Sequence, residues 1–193
     1  REESRGRLGK AERRSLAFLL ASVFFWFFGY NAVTTAFSKY ARLYWGLEDG
    51  LFAYTLMVAQ GAAIAAFLPM GQFASKYGRK RTILCGVALL TAIFAGAACF
   101  KTFSPAILAL FALAGVAWAA INVNSYPMVV EMSRGADIGR YTGFYYTASM
   151  LAQVMTPVVS GYLLEHVGYY TLFPYGAAFA ALSLVTLLCV RHG

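Results

Sequence analysis

The stretch GRYTGFYYTASMLAQVMTPVVSG, residues 139–161, is apolar and long enough to cross a bilayer, yet hydroxyls, a glutamine and a proline run through it. Its polar residues are Thr142, Tyr145, Tyr146, Ser149, Gln153, Thr156 and Ser160. Their offsets from the first (3, 4, 7, 11, 14 and 18) follow the α-helical repeat and fall on one face. The opposite face carries Phe144, Met150, Leu151 and Val158. An unpaired polar group in hydrocarbon is costly, so such a stripe must face protein or water. Pro157 frees a backbone carbonyl one turn earlier, which is tolerated where a partner or water can satisfy it. A spanning helix with one polar face implies neighbouring helices.

A window of about 19 residues finds five further apolar stretches, at 16–38, 51–70, 82–100, 105–130 and 172–190, and extends the quoted one to 139–164. Each is near or above the roughly 20 residues that a spanning helix needs at 1.5 Å per residue. No stretch alternates with period two, which argues against a membrane β-barrel. The connections are short and hold no soluble domain. The expected fold is an all-α membrane protein with six transmembrane helices over residues 15–193.

Composition agrees. The 193 residues are 60% hydrophobic and 12% charged, with a mean hydropathy of +0.62. A soluble domain carries about 25% charged residues. The net charge of +8 follows from topology, not from binding nucleic acid. Lys and Arg concentrate in the N-terminal segment, in 76–81, and at Arg134, Arg140 and Arg191, whereas the other side of the predicted bundle has only Lys39, Arg42 and Lys101. The positive-inside rule then puts both termini in the cytoplasm, in a bacterial inner membrane or a plasma membrane. The opening REESRGRLGKAERR, residues 1–14, is too charged for a signal peptide and reads as the end of a cytoplasmic connector, as expected of a piece of a longer protein. Its cations could also meet anionic lipid. Cys85, Cys99 and Cys189 lie in apolar segments at irregular spacing, away from His166 and His192. They read as buried small hydrophobes, with no metal site and no cofactor expected.

The carboxylates Glu2, Glu3, Glu12, Glu48, Asp49, Glu131, Asp137 and Glu165 all sit at loops or helix ends. A buried acid is the usual device for coupling transport to a cation, so a coupling carboxylate is expected outside these residues. Polar faces like the first recur. The fourth span offers Trp118, Asn122, Ser125 and Tyr126 before Pro127, the first offers Trp26, Tyr30, Asn31 and Thr34, and the second offers Gln60. With Tyr145, Tyr146, Ser149 and Gln153 these are the candidate lining of a cavity. Rings that stack on C–H faces, beside amides and phenols that bond hydroxyls without charge, suit a sugar or glycoside. The competing reading is interhelical glue, worth about 0.6 kcal/mol per hydrogen bond in membranes. Gly61 with Ala65, and Gly176 with Ala180, have the small-xxx-small spacing of closely packed helices.

Between the second and third spans lies GQFASKYGRKRT, residues 71–82. Its glycines permit a tight turn and its cations hold the loop on one side. It resembles the loop signature of the major facilitator superfamily, approximately G-x-x-x-[D/x]-x-x-G-R-[K/R]. Gly71, Gly78, Arg79 and Lys80 fit, and Ser75 stands where many members have aspartate. Residues 124–157, NSYPMVVEMSRGADIGRYTGFYYTASMLAQVMTP, resemble the tenth-to-eleventh helix region of the glycoside–pentoside–hexuronide:cation and sucrose-symporter-like branch, through Pro127, Glu131, Gly139, Gly143, Gln153 and Pro157. The resemblance implies the C-terminal half of a twelve-helix major facilitator fold, whose partner is an N-terminal six-helix half. Substrate would bind at the midplane between the halves, lined mainly by helices seven, eight, ten and eleven. A cytoplasmic gate is expected from Gly71, Gly78, Arg79, Lys80, Glu131 and Arg140, with Arg79 pairing Glu131 against an inward opening. The alternative is two solvated charges worth at most about 1 kcal/mol together.

The leading expectation is secondary transport of a small-molecule substrate, a sugar or glycoside, with or without a coupled proton or sodium ion. Export of amphipathic compounds and a non-transporting six-helix scaffold are the alternatives. No HExxH or GxSxG occurs, and no Asp or His lies within a span, so no enzyme is expected.

Overall fold

The computed structural model describes residues 8–133 and 137–191. Residues 1–7 of the expected connector, Arg134 and His192 lie outside them. Six long apolar helices account for nearly all of the described chain: α1 (Lys10–Trp45), α2 (Leu51–Tyr77), α3 (Arg79–Ala98), α4 (Pro105–Glu131), α5 (Ile138–His166) and α6 (Leu172–Leu188), with a 3₁₀ turn at Tyr169–Thr171. No strand occurs among the described residues.

Local chemistry sets the ends. The Glu12 carboxylate accepts from the Gly9 N–H at 2.9 Å, closing the first turn of α1, which begins at Lys10. At its other end Gly46 adopts φ 64° and the Leu47 N–H reaches back to the Ala41 carbonyl at 3.1 Å. Gly78, at φ 96°, is all that separates α2 from α3, a conformation that L side chains rarely adopt. Ser104 caps α4 by accepting from the Ala106 N–H, and Pro105 fills the first turn, where no donor is needed. The helices run through Pro69, Pro127 and Pro157 without breaking.

The helices alternate in direction, and hydrogen bonds identify the two ends. At one, Lys80 Nζ donates to the Val190 carbonyl and the Arg191 N–H donates to Ser15 Oγ at 3.2 Å. At the other, Trp45 Nε1 donates to the Phe100 carbonyl at 3.1 Å and the Lys39 ammonium lies 4.8 Å from the Tyr169 ring centroid. Among the described residues Lys10, Arg13, Arg14, Lys76, Arg79, Lys80, Arg81, Arg140 and Arg191 fall at the first end, opposed only by Glu12, Glu131 and Asp137. This basic end contrasts with an opposite end where Lys39, Arg42 and Lys101 are matched by Glu48, Asp49 and Glu165.

The core lies among α1, α3, α4 and α6, where Trp26, Phe37, Ile83, Leu90, Ile107, Ile121, Phe173 and Leu187 are fully enclosed. α2 packs chiefly on α4 and α5 chiefly on α1, and these two are the least covered helices. The contact between α2 and α4 is backbone on backbone. A Cβ at Gly115 would fall 2.0 Å from the Ala59 carbonyl oxygen. The small-residue seam of α2 is therefore Ala59, Ala63 and Ala66, which are buried, and not Gly61 and Ala65, which are exposed. Gly61 has nothing within 4 Å of its Cβ position. The spacing was there in both registers; only the position of Gly115 decides between them. Gly176 and Ala180 do pack tightly, against Gly29 and Val33 of α1.

The three cysteines are another correction: Cys85, Cys99 and Cys189 are exposed on the chain. A membrane-embedded surface is bathed in hydrocarbon, so a small hydrophobe there gains nothing further from burial within the protein.

Candidate solute pathway

Four helices bring aromatic and amide side chains together on the side flanked by α2 and α5. Tyr30 of α1 and Trp118 of α4 stack face to face, with centroids 3.8 Å apart and planes 4° apart. Gln60 of α2 donates from Nε2 to Tyr30 Oη at 3.4 Å, and Gln60 is itself exposed. Phe27 meets Trp118 edge-on at 5.3 Å and Tyr145 of α5 at 6.4 Å. Tyr126 then links to Tyr145 at 5.4 Å and to Tyr146 at 6.1 Å. Such edge-to-face and offset pairs are worth roughly 0.5–1.5 kcal/mol each beyond area burial. The result is a continuous aromatic wall, bordered by neutral amides and phenols, with no charged side chain among its members.

Hydrogen bonds divide the predicted lining into two sets. Ser125 Oγ and Tyr145 Oη lie 3.0 Å apart and both residues are buried, so they join α4 to α5. Tyr126 Oη and Thr142 Oγ1 repeat the link at 3.0 Å. Ser149 donates to the Tyr146 carbonyl at 3.1 Å, and Thr34 donates to the Tyr30 carbonyl at 3.0 Å. Asn31 spends its amide on the Phe27 carbonyl at 2.7 Å. These groups already have partners. Gln60, Tyr146 and Gln153 are exposed, while Tyr30, Trp118, Asn122 and Tyr126 are half-buried. Trp26 lies behind this surface, 0% exposed, with no partner for its indole N–H among the described residues.

The polar stripe of α5 splits the same way. Tyr145, Ser149, Thr156 and Ser160 turn inward, where Thr156 donates to the Ala152 carbonyl at 2.6 Å and Ser160 meets Tyr175 Oη of α6 at 3.0 Å. Tyr146 and Gln153 stay exposed on the outer side, beside exposed Met150, Val154 and Val158.

At the basic end Arg79 Nε donates to Glu131 Oε1 at 2.8 Å, and Arg79 Nη1 donates to Asn124 Oδ1 at 3.3 Å. Asn124 is fully buried and donates in turn to the Ala120 carbonyl at 2.8 Å. Asn124 and Glu131 are seven residues apart, two turns on one face of α4, so one guanidinium clasps the start of α3 to the end of α4. Asn124 was not among the expected site residues. Its signal was a second amide in an apolar run, a group that cannot be buried without a partner. Lys80 docks on the Val190 carbonyl, just past the C-terminal end of α6, where a cation is favoured. Arg140 stands apart, 3.9 Å from Asp137 in a local, exposed pair. Gly71 approaches Val123 of α4, with 3.5 Å between its Cβ position and Val123 Cγ1.

Comparison with known proteins accords with this architecture. The family described as Major Facilitator Superfamily matches residues 19–192. An uncharacterized MFS-type transporter of Methanocaldococcus jannaschii is 30% identical over 123 residues, 64% of this chain and 30% of the relative. An uncharacterized MFS-type transporter of Schizosaccharomyces pombe is 28% identical over 184 residues, 90% of this chain and 40% of the relative. The chain thus spans well under half the length of these curated relatives.

Proposed function

The chain belongs to the major facilitator superfamily, and on that premise we propose that it moves a small polar solute, a sugar or glycoside, across a membrane by alternating access. The observation that carries this reading is the uncharged aromatic wall around the Tyr30–Trp118 stack, with Gln60 bonded to its edge and Gln153 exposed beyond it. Stacked rings offer faces for sugar C–H groups, and amides and phenols offer neutral hydrogen bonds. In this reading the six helices are the C-terminal half, related in pattern to the glycoside–pentoside–hexuronide:cation and sucrose-symporter-like branch. The exposed faces of α2 and α5 meet an N-terminal six-helix half, and the pathway runs between the two. The basic end faces the cytoplasm, as its excess of cations favours.

No carboxylate lies within the wall, so a proton- or sodium-binding acid comes from the other half or the transporter is a uniporter. The Arg79–Glu131 clasp lies within one half, so it acts on gating by fixing the α2–α3 turn against α4, not by bridging the halves. A charge swap at these two positions restores transport lost in each single reversal; failure of that rescue removes the gating role.

Uptake of labelled hexoses and disaccharides into vesicles, with and without a proton gradient, tests the substrate class. Accumulation above empty vesicles is expected. Absence of sugar uptake together with export of an amphipathic dye would contradict the sugar reading and favour an exporter, to which the exposed Tyr146 and Met150 are equally suited.

A further inference from the structure

Away from the aromatic wall, α2, α3 and α4 enclose an open groove of about 140 Å³ next to the basic end. Met70 and Phe73 form one wall, Cys85 and Leu89 the other, and Val116 and Ala120 the floor. The groove presents no polar surface. It lies within helices long and apolar enough to cross a membrane and is open at its surface.

Each wall continues upward into a cation. On α3 the ridge Leu89, Cys85, Arg81 advances by four residues per step, which puts Arg81 one turn above Cys85 on the same face. On α2 Lys76 lies three residues beyond Phe73, with its ammonium 5.2 Å from the Tyr77 ring, which packs 4.5 Å from Phe73. Both cations are exposed, and neither is paired with a carboxylate among the described residues. The other two cations of the turn are already engaged, Arg79 with Glu131 and Asn124 and Lys80 with the Val190 carbonyl. Ser75 bonds back to the Gly71 carbonyl at 3.1 Å and brings no negative charge to the turn.

We infer that this groove is a binding site for one anionic phospholipid, with an acyl chain between Phe73 and Cys85 and the phosphate held by Lys76 and Arg81. The chemistry is that of an apolar slot with a dedicated pair of cations at headgroup depth, a combination that selects a lipid over a free anion. The lipid would brace the turn whose remaining cations clasp α4 and α6, so bound lipid and the position of that turn are linked.

Native mass spectrometry of the protein, taken from vesicles of equal chain-matched phosphatidylglycerol and phosphatidylcholine, tests this directly. The wild type is expected to retain phosphatidylglycerol in preference, by about fivefold for each cation near the headgroup. Lys76→Gln with Arg81→Gln should bring the ratio close to that of the vesicle. Cys85→Trp, which fills the slot without touching the cations, should lower retention of both lipids. No enrichment in the wild type, an unchanged ratio in the double variant or undiminished retention in Cys85→Trp would each overturn the assignment.

Discussion

α5 and α6 are consecutive spanning helices, yet they treat their polar groups in opposite ways. In α6 the hydroxyls face inward. Tyr175 bonds Ser160, Ser183 donates to the Ala180 carbonyl at 2.6 Å, and Thr186 lies 2.6 Å from Ser22 of α1. The large side chains that α6 exposes are Leu182, Val185 and Leu188. In α5 an inward row is satisfied just as fully, but Tyr146 and Gln153 remain on the outside. A helix whose outer face meets only hydrocarbon must satisfy every polar group within the bundle. A helix that holds an amide outward has water, solute or another protein surface beside it. The outer face of α6 is a lipid face by this criterion, and the outer face of α5 is not.

Substitutions can break or sharpen that contrast. The largest effect is expected at Gly115, where no side chain fits against the Ala59 backbone. Gly115→Leu should cost more than the 1–3 kcal/mol typical of overpacking and remove most folded protein, as read by the monodisperse fraction in size-exclusion chromatography. Trp118→Ala removes one ring of the 3.8 Å stack from the wall. If the wall binds solute, about 2 kcal/mol of binding and more than tenfold in apparent affinity should be lost, while expression in the membrane stays near wild type. Gln153→Leu deletes a single neutral hydrogen-bonding group, so a loss of roughly 1 kcal/mol, about fivefold in transport, is expected with unchanged insertion. Tyr175→Phe breaks the bond from α6 to Ser160 and should cost only about 0.6 kcal/mol of stability, with transport unaffected. A transport defect in Tyr175→Phe as large as that in Gln153→Leu would erase the distinction between the two helices.

The six spans were legible in the sequence because twenty apolar residues in a row have few other uses; α1 and α2 run beyond them, whereas α3 and α6 end two residues short. The stripe of α5 was legible as a face, since its period is fixed by the helix. What periodicity could not separate was Ser149 from Gln153, because they lie one turn apart on one face and only the packing of α5 against α1 and α4 decides which is covered. Trp26 and Tyr30 illustrate the same limit. They are one turn apart on α1, and the packing of α4 puts Trp26 in the core and Tyr30 on the wall. Asn124 was unreadable without its partner, which lies 45 residues away at Arg79. The cysteines misled because a rule of burial learned from water-soluble cores does not hold where the solvent is lipid.

The most direct test is solvent access to the two outer faces. With Cys85, Cys99 and Cys189 replaced by alanine, single cysteines at Gln60, Gln153, Leu182 and Val185 can be exposed to a hydrophilic maleimide in native membranes. Labelling at Gln60 and Gln153, with none at Leu182 and Val185, is the predicted result. Equal protection of all four positions would contradict a solute pathway along α2 and α5 and leave their polar groups as contacts between helices.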